Sequence, residues 1–596
     1  MFSIEQNSKQ NKITDTVFTQ DSTHMMPMSI KEVADAVNAS ELLCGSSASC
    51  DSAKSTDIVN FATSDSRNVA CGAVFIAIKG ERVDGHDFVQ KAAQLGAKAA
   101  IVEHAVLLDE SVQNKIAQIV VKNSVEALGL LAKHNLVRRR ALNTPFSIIG
   151  ITGSVGKTTT KDMLNALLST LGNTVAPVGS FNNEIGLPLT SLRVNENTRF
   201  LIAEMGANHV GEIAMLTTIA PPDLSVVLKV GVAHLGEFGS VEKIAQAKSE
   251  IVRGLLPHGV AILNADDFRV AAMSKLADQD KVRWFGLNVD NNGNFDASNN
   301  GNYQLRAQDI SLDESGCAKF TIIESEKIAT SENSTISENS TTLHLALPGA
   351  HNVMNALAAS NVARYFGMSL KNIALVLNKV SHISPHRMQI SVICKDDKKF
   401  TLIDDSFNAN PDSMKAGIDG LCSYESNDSS NSANSSDSDD SADSAKSSST
   451  KLFRIAVLGS MLELGKDEYN MHESIGKYVA QKNIDAIISV GSSTSEKLDE
   501  LASCIAKGAR DNWQNNRNNI VNKYQNNNVD AKNNVYFVHD CIEANNIVWS
   551  LVGEHSSTVV LLKGSHASGL SVLAESWAKL SKSLNASLNK HTEVNL

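Results

Sequence analysis

The sequence predicts an α/β protein of three domains: a small N-terminal α/β domain, a central P-loop parallel-sheet domain and a C-terminal Rossmann-like α/β domain. Three observations predict it. A chain of 596 residues exceeds what one core covers, because single domains run to roughly 100–200 residues. Short apolar, β-branched runs alternate with helical stretches, the pattern of parallel sheets joined by crossover helices. The run ending Ile148-Ile149-Gly150-Ile151 passes through Thr152-Gly153-Ser154-Val155-Gly156 into Lys157-Thr158-Thr159-Thr160, and Met163, Leu164, Leu167, Leu168 and Leu171 then recur at helical spacing.

Residues 1–27 read as a polar N-terminal extension without the apolar stretch of an export signal. Residues 28–143 carry a helix over 30–37, a strand over 74–78, a helix over 88–95 and a strand over 99–102. Residues 144–383 form the P-loop domain, and 384–596 the last domain, with strands at 400–403, 453–458, 486–490 and 558–562. Three tracts rich in Asn, Ser and Asp, 288–302, 425–450 and 512–534, lack the apolar surface needed to offset ordering entropy and read as disordered insertions.

The strand-loop-helix segment is the strongest functional signal. Glycines let backbone N–H groups approach a phosphate at a helix start, Lys157 adds a point charge over the β/γ oxygens, and Thr158 offers a hydroxyl to Mg²⁺. A strict P-loop has glycine five residues before Gly156, where Ile151 stands, so this is a Gly-x-x-Gly-Lys-Thr variant. Gly153, Ser154, Val155, Gly156, Lys157, Thr158 and Thr159 are the expected ATP-binding residues.

In open parallel sheets ligands lie beyond the carboxyl ends of strands. Glu204 ends the run 200–203, and His234 follows 224–233. Beside a P-loop both become candidate Mg²⁺ ligands, Glu204 the better one because hard cations prefer oxygen; capping a helix is the alternative for Glu204, and a structural role the alternative for His234. Asn182 and Asn183 lie in an amide-rich loop suited to a peptide or sugar, although asparagines also make turns. Asn352 and Asn355 share a helix face at i, i+3 and can read an adenine edge, or cap. Ser66 and Arg67 fall in a polar cluster with an anion-binding group, or in a solvated loop.

Composition narrows the class. Net charge is -11, with 42% apolar residues, and mean hydropathy is -0.12 with pI about 5.8. These argue against a nucleic-acid-binding surface, and no apolar run reaches membrane-spanning length. The eight cysteines are scattered without metal-ligand spacing and read as reduced thiols of a cytoplasmic protein.

Four ordered motifs, 152–159, Glu204-Met205-Gly206-Ala207, 349–355 and 404–411, resemble those of the Mur ligases, which add amino acids to a cell-wall precursor by ATP-driven amide formation. The segments 180–188, 404–413 and 458–465 are similar to those of the member acting on UDP-N-acetylmuramoyl-tripeptide and D-alanyl-D-alanine. Phe407 and Ser460 stand where that member usually has Tyr and Asp. The resemblance implies ATP and Mg²⁺ as cofactors and Lys157, Glu204, His234 and Lys248 as catalytic residues. It also implies Thr158, Glu204, His234 and Lys248 around metal, with Lys248 a carbamate in some members. Asn352 and Asn355 would contact adenine. Arg387 and Asp405 would reach phosphate and ribose from the third domain, and Ser66 and Arg67 would hold the UDP end. A monomer is the default. The alternatives are a folylpolyglutamate-type ligase, against which the first domain and the Asn182-Asn183 loop speak, and a nucleotide-binding switch.

Overall fold

The computed structural model describes residues 24–44, 55–287, 303–329, 334–381, 384–425, 452–521 and 534–592. The chain divides into two compact units, one of residues 1–146 with 184–201 and one of 147–183 with 202–596.

The first unit holds a five-stranded sheet in the order Glu41–Cys44, Ala117–Val120, Ala99–Val102, Ala73–Ile76, Phe61–Thr63. The edge strand Glu41–Cys44 runs antiparallel and the others parallel. Strands 73–76 and 99–102 are wholly buried, as continuous apolar runs in a covered parallel sheet should be. The expected first helix is Ile30–Ala36, with the Ser29 hydroxyl accepting from the Glu32 N–H.

Two expectations change here. The polar extension ends earlier than residue 27, because Met25 and Met26 are buried and Met25 N–H donates to the Asn60 carbonyl. Cys44 is disulfide-bonded, whereas reduced thiols were expected throughout.

Residues 184–201 join this unit for a chemical reason. On the helix Ser124–Arg140, the buried Asn135 amide donates to the carbonyls of Ser191 and Val194, at 3.0 and 2.9 Å. Buried Arg139 donates to the carbonyls of Thr198 and Pro145, at 2.6 and 3.0 Å. Arg139→Met strands those carbonyls, so it should destabilise this unit by about 2–3 kcal/mol, read as a lower thermal midpoint. An unchanged midpoint would mean that water satisfies them.

The second unit holds two sheets. The nine-stranded one has the order Ser334–Pro348, Cys317–Ala329, Tyr303–Leu312, Val282–Gly286, Val260–Asn264, Leu224–Val227, Ser147–Thr152, Phe200–Glu204, Thr174–Val175. Strands from Ser147–Thr152 to Tyr303–Leu312 in that order pair parallel, and the last two hairpin strands antiparallel.

The six-stranded sheet has the order Gln389–Lys395, Lys398–Asp405, Thr558–Lys563, Phe453–Gly459, Ala486–Val490, Val535–Val538, parallel after its first pair. Successive strand residues feed opposite cores. Ala456, Leu458 and Leu561 pack with Met414, Ile475 and Ile505, while Ile455, Val457 and Leu562 pack with Val548, Trp549 and Trp577. This is the doubly wound architecture expected of the last domain.

The tract expected to be disordered from residue 512 is helical at its start, because the helix Glu496–Val521 continues through it. Its upstream part is anchored by buried Leu501, Ile505 and Trp513, and propagating an existing helix costs less than nucleating one. The expected insertion at 288–302, nearly all of that at 425–450 and the middle of the third lie outside the described residues. Among the described residues, no helix is long and apolar enough to cross a membrane.

Candidate active site

The strand Ser147–Thr152 delivers the glycine loop to the helix Lys157–Leu168. Gly156 adopts φ +83, and a Cβ there would lie 2.4 Å from the Asn355 side-chain oxygen. No other residue fits both demands. Lys157 folds back over the loop, its Nζ donating to the Gly153 carbonyl at 2.8 Å. Desolvation lowers its pKa, Glu204 opposes that shift, and the Arg387 charge adds to it.

The loop opens onto a cavity of about 700 Å³, within the size range of small-molecule sites. Of the expected residues, Ser154, Val155, Gly156, Lys157, Thr158, Thr159, Asn182, Glu204, His234, Lys248, Asn352, Asn355, Arg387 and Asp405 line it; Gly153 and Asn183 do not. Residues from both sheets of the second unit thus share one wall. Leu228, Phe285 and Met354 supply apolar surface beside Asn352 and Asn355. Those two amides touch as predicted, Asn355 Nδ2 donating to Asn352 Oδ1 at 2.9 Å.

Glu204, at the end of Phe200–Glu204, is 1% exposed. Its Oε1 accepts from Asn182 Nδ2 at 2.9 Å and Thr158 Oγ1 at 3.3 Å, while Oε2 is buried with no hydrogen-bond partner among the described residues. A carboxylate oxygen left bare in a cavity wall is costly unless something cationic meets it. Together with the Thr158 hydroxyl, it fits a hard divalent cation that takes its remaining ligands from phosphate and water. No group of three or more His, Cys, Asp or Glu is arranged to hold a metal by itself among the described residues.

Lys248, on the helix Val241–Arg253, is 2% exposed, and its pKa falls to about 7, first through burial and then through the Lys157 charge. The folded protein therefore holds fewer protons than the unfolded chain between about pH 7 and 10.5. The lysine's destabilising contribution is full below pH 7 and fades as pH rises towards the unfolded value. Lys248→Met should thus gain stability relative to the parent most at or below pH 7, the gain shrinking by about 1.4 kcal/mol per unit above it. Denaturant titrations of both proteins at pH 6.5, 7.5 and 8.5 measure this; a pH-independent difference refutes the shifted amine. His234 is lowered too, by burial first and then by Lys157.

From the other sheet, Arg387 lies with its guanidinium 4.4 Å from the Phe407 ring centre and its Nη2 3.5 Å from Thr158 Oγ1. Phe407 serves as the platform that Arg387 stacks on. Asp405 pairs with Lys563 at 2.9 Å. Lys563, 2% exposed, also donates to the Asn408 carbonyl at 2.6 Å. Sequence reasoning passed over Lys563, although it ends the apolar strand Thr558–Lys563 as Glu204 ends its own. It also assigned no role to Glu463, whose carboxylate bonds to His234 Nδ1, although that residue lies in the 458–465 segment after a strand end.

Ser66 and Arg67 belong to the first unit, in a short 3-10 turn Ser66–Asn68. The exposed Arg67 guanidinium grips its neighbour Asp65 through Nε and Nη2, at 2.9 and 2.7 Å, holding that carboxyl at about 2. An anion reaching Arg67 competes with Asp65.

Two family models match the chain: the Mur ligase middle domain over residues 151–363, and the Mur ligase family catalytic domain over 58–135. The UDP-N-acetylmuramoyl-tripeptide--D-alanyl-D-alanine ligase of Mycobacterium bovis is 37% identical over 442 residues, 72% of this chain and 77% of that one. The chain belongs to the Mur ligase family. The Escherichia coli enzyme of the same name is 32% identical to this Mur ligase, over 72% of this chain and 80% of its own. A crystal structure of MurF from Acinetobacter baumannii superposes with a TM-score of 0.67 at 28% identity, covering 93% of this Mur ligase and 99% of that chain. The family model at 151–363 spans the glycine loop, Glu204, His234, Lys248, Asn352 and Asn355.

Proposed function

We propose that this Mur ligase joins D-alanyl-D-alanine to UDP-N-acetylmuramoyl-tripeptide, converting ATP to ADP and phosphate through an acyl-phosphate intermediate. The observation that carries the reading is the single cavity in which the glycine loop, the unpartnered Glu204 oxygen and the Arg387–Asp405 edge of the second sheet converge. Its relatives' names supply the two substrates.

The residues support the chemistry as follows. A carboxylate is a poor acyl donor; one of its oxygens attacks the γ-phosphorus, and ADP leaves. The amine then attacks the acyl carbon, the C–O bond breaks, and phosphate departs. Little covalent work falls to the protein, so catalysis is positioning and charge neutralisation. Loop N–H groups and Lys157 hold the β/γ oxygens, Arg387 meets the phosphate chain, and Asp405 takes the ribose. Asn352 and Asn355 read the adenine edge, in a cavity that Phe285 and Met354 also line. Thr158 and Glu204 would hold Mg²⁺, with His234 and Lys248 near a second ion, supplying charge neutralisation on the phosphates. Lys248 as a near-neutral amine has the free lone pair that carbamate formation requires, which would turn it into an anionic ligand.

The first unit, through Ser66 and Arg67, takes the UDP end of the substrate, and Asn182 and Asn183 its peptide. The reaction belongs in the cytoplasm, where ATP is available, and the chain acts as a monomer. Release of ADP and phosphate with Mg-ATP and both substrates, omitting each in turn, tests the reading, with the product weighed by mass spectrometry. Release requiring all three, and a product heavier by the dipeptide, is expected. Release without the muramoyl substrate would overturn it.

A further inference from the structure

Within the second unit, two loops from different sheets meet beside the cavity. One, residues 231–239, follows the strand Leu224–Val227; the other, 460–465, follows Phe453–Gly459. Their junction has features that neither sheet needs for its own folding. His234 Nδ1 bonds to the Glu463 carboxylate, and Gly236 N–H donates to the Glu463 carbonyl at 2.9 Å. Both His234 and Glu463 sit in the left-handed region, at φ 58 and 61. Residues with a Cβ adopt that conformation only at an energetic cost. A Cβ on Gly236 would lie 2.5 Å from the Gly465 nitrogen and 2.8 Å from its Cα, so the two backbones approach as closely as glycine alone permits.

Two strained residues aimed at one another across separately cored sheets need a compensating role. Glu463 is 231 positions beyond Val232, on a part of the chain whose core, including Met461 and Leu464, forms without His234. A carboxylate only accepts, so the His234 ring carries its proton on Nδ1 and turns Nε2, its remaining acceptor, away from Glu463. His234 lines the cavity. The bond therefore ties ring orientation in one sheet's loop to the presence of the other sheet.

We propose that Glu463 is a positioning residue: it latches the C-terminal sheet to the nucleotide-binding sheet and orients His234 only when the two are together. Phosphoryl transfer then awaits closure, which keeps water from the acyl phosphate before the amine-bearing substrate is enclosed. The activity arm of the test rests on the ligase reading above; the shape arm does not.

The full chain is compared as parent, Glu463→Ala, Glu463→Gln and Gly236→Ala, with thermal unfolding as a fold control. The carboxamide oxygen of Gln still accepts from Nδ1, whereas Ala removes the acceptor and the Gly236 variant wedges the loops apart. With a non-hydrolysable Mg-ATP analogue, small-angle scattering should give a larger radius of gyration for Glu463→Ala and Gly236→Ala than for the parent, and a parental one for Glu463→Gln. Turnover should fall about 10–100-fold in Glu463→Ala, the range for residues that orient a functional histidine, and recover most of the loss in Glu463→Gln. A Glu463→Ala protein as compact as the parent, or a Glu463→Gln no better than Glu463→Ala, overturns the proposal. A parent that compacts without ligating anything would sink the ligase reading and leave the latch standing.

Discussion

Lys157→Ala should lower turnover by on the order of 10³-fold, the cost of deleting a preorganised charge aimed at a reacting phosphate, while thermal unfolding stays within a few degrees of the parent. The structural argument has two parts. Among the described residues the ammonium makes a single hydrogen bond, to Gly153, so its loss exposes one loop carbonyl to the cavity rather than opening the core. The helix it begins is held by Met163, Leu164, Leu167 and Leu168, all buried, and those contacts survive. Desolvation already lowers the affinity of Lys157 for its proton, so a bound phosphate chain is the partner that would restore the charge. Initial rates of ADP release and a melting curve decide the matter. A variant that turns over like the parent would mean that the glycine loop does not hold the nucleotide.

Glu204→Gln should be nearly as severe, a loss of about 10²–10³-fold, and should raise the Mg²⁺ concentration needed for half-maximal rate. The amide oxygen of Gln keeps what Oε1 does now, accepting from Asn182 and Thr158, so the loop 180–183 stays in place. What changes is Oε2, buried and bare, which becomes an NH₂ with two donors facing the cavity. A cation that uses that oxygen loses both a ligand and a charge. Rates across a Mg²⁺ titration, together with the affinity for metal-free nucleotide, separate the effects: the first should shift and the second should not. Equal Mg²⁺ dependence in the two proteins would remove Glu204 from the metal site.

Much of the candidate site was legible because its signals are local. The glycine loop is a strand end, a turn and a helix start in the thirteen consecutive residues 148–160. Glu204 stands out as the carboxylate that ends an apolar run, and Asn352 and Asn355 are paired by helical spacing alone. The hairpin strands 317–329 and 334–348 went unread: Leu343, Leu345 and Leu347 do alternate with more exposed neighbours, but the Ser- and Thr-rich composition around them obscures the period. Helix 496–521 overrode an Asn-rich composition because packing upstream had already nucleated it.

By itself, then, the sequence determined the α/β class, the nucleotide-binding loop, the polar residues at strand ends and the family, all written in spacing that a few adjacent residues suffice to set. Only the tertiary structure decided that residues 184–201 leave their sequence neighbours to satisfy Asn135 and Arg139. It alone decided that Lys563 braces Asp405 from 158 residues away, and that Glu463 meets His234 across 229. Such pairs depend on which strand ends the two sheets bring together, and hydrogen bonding between distant residues imposes no periodicity on the chain that carries them.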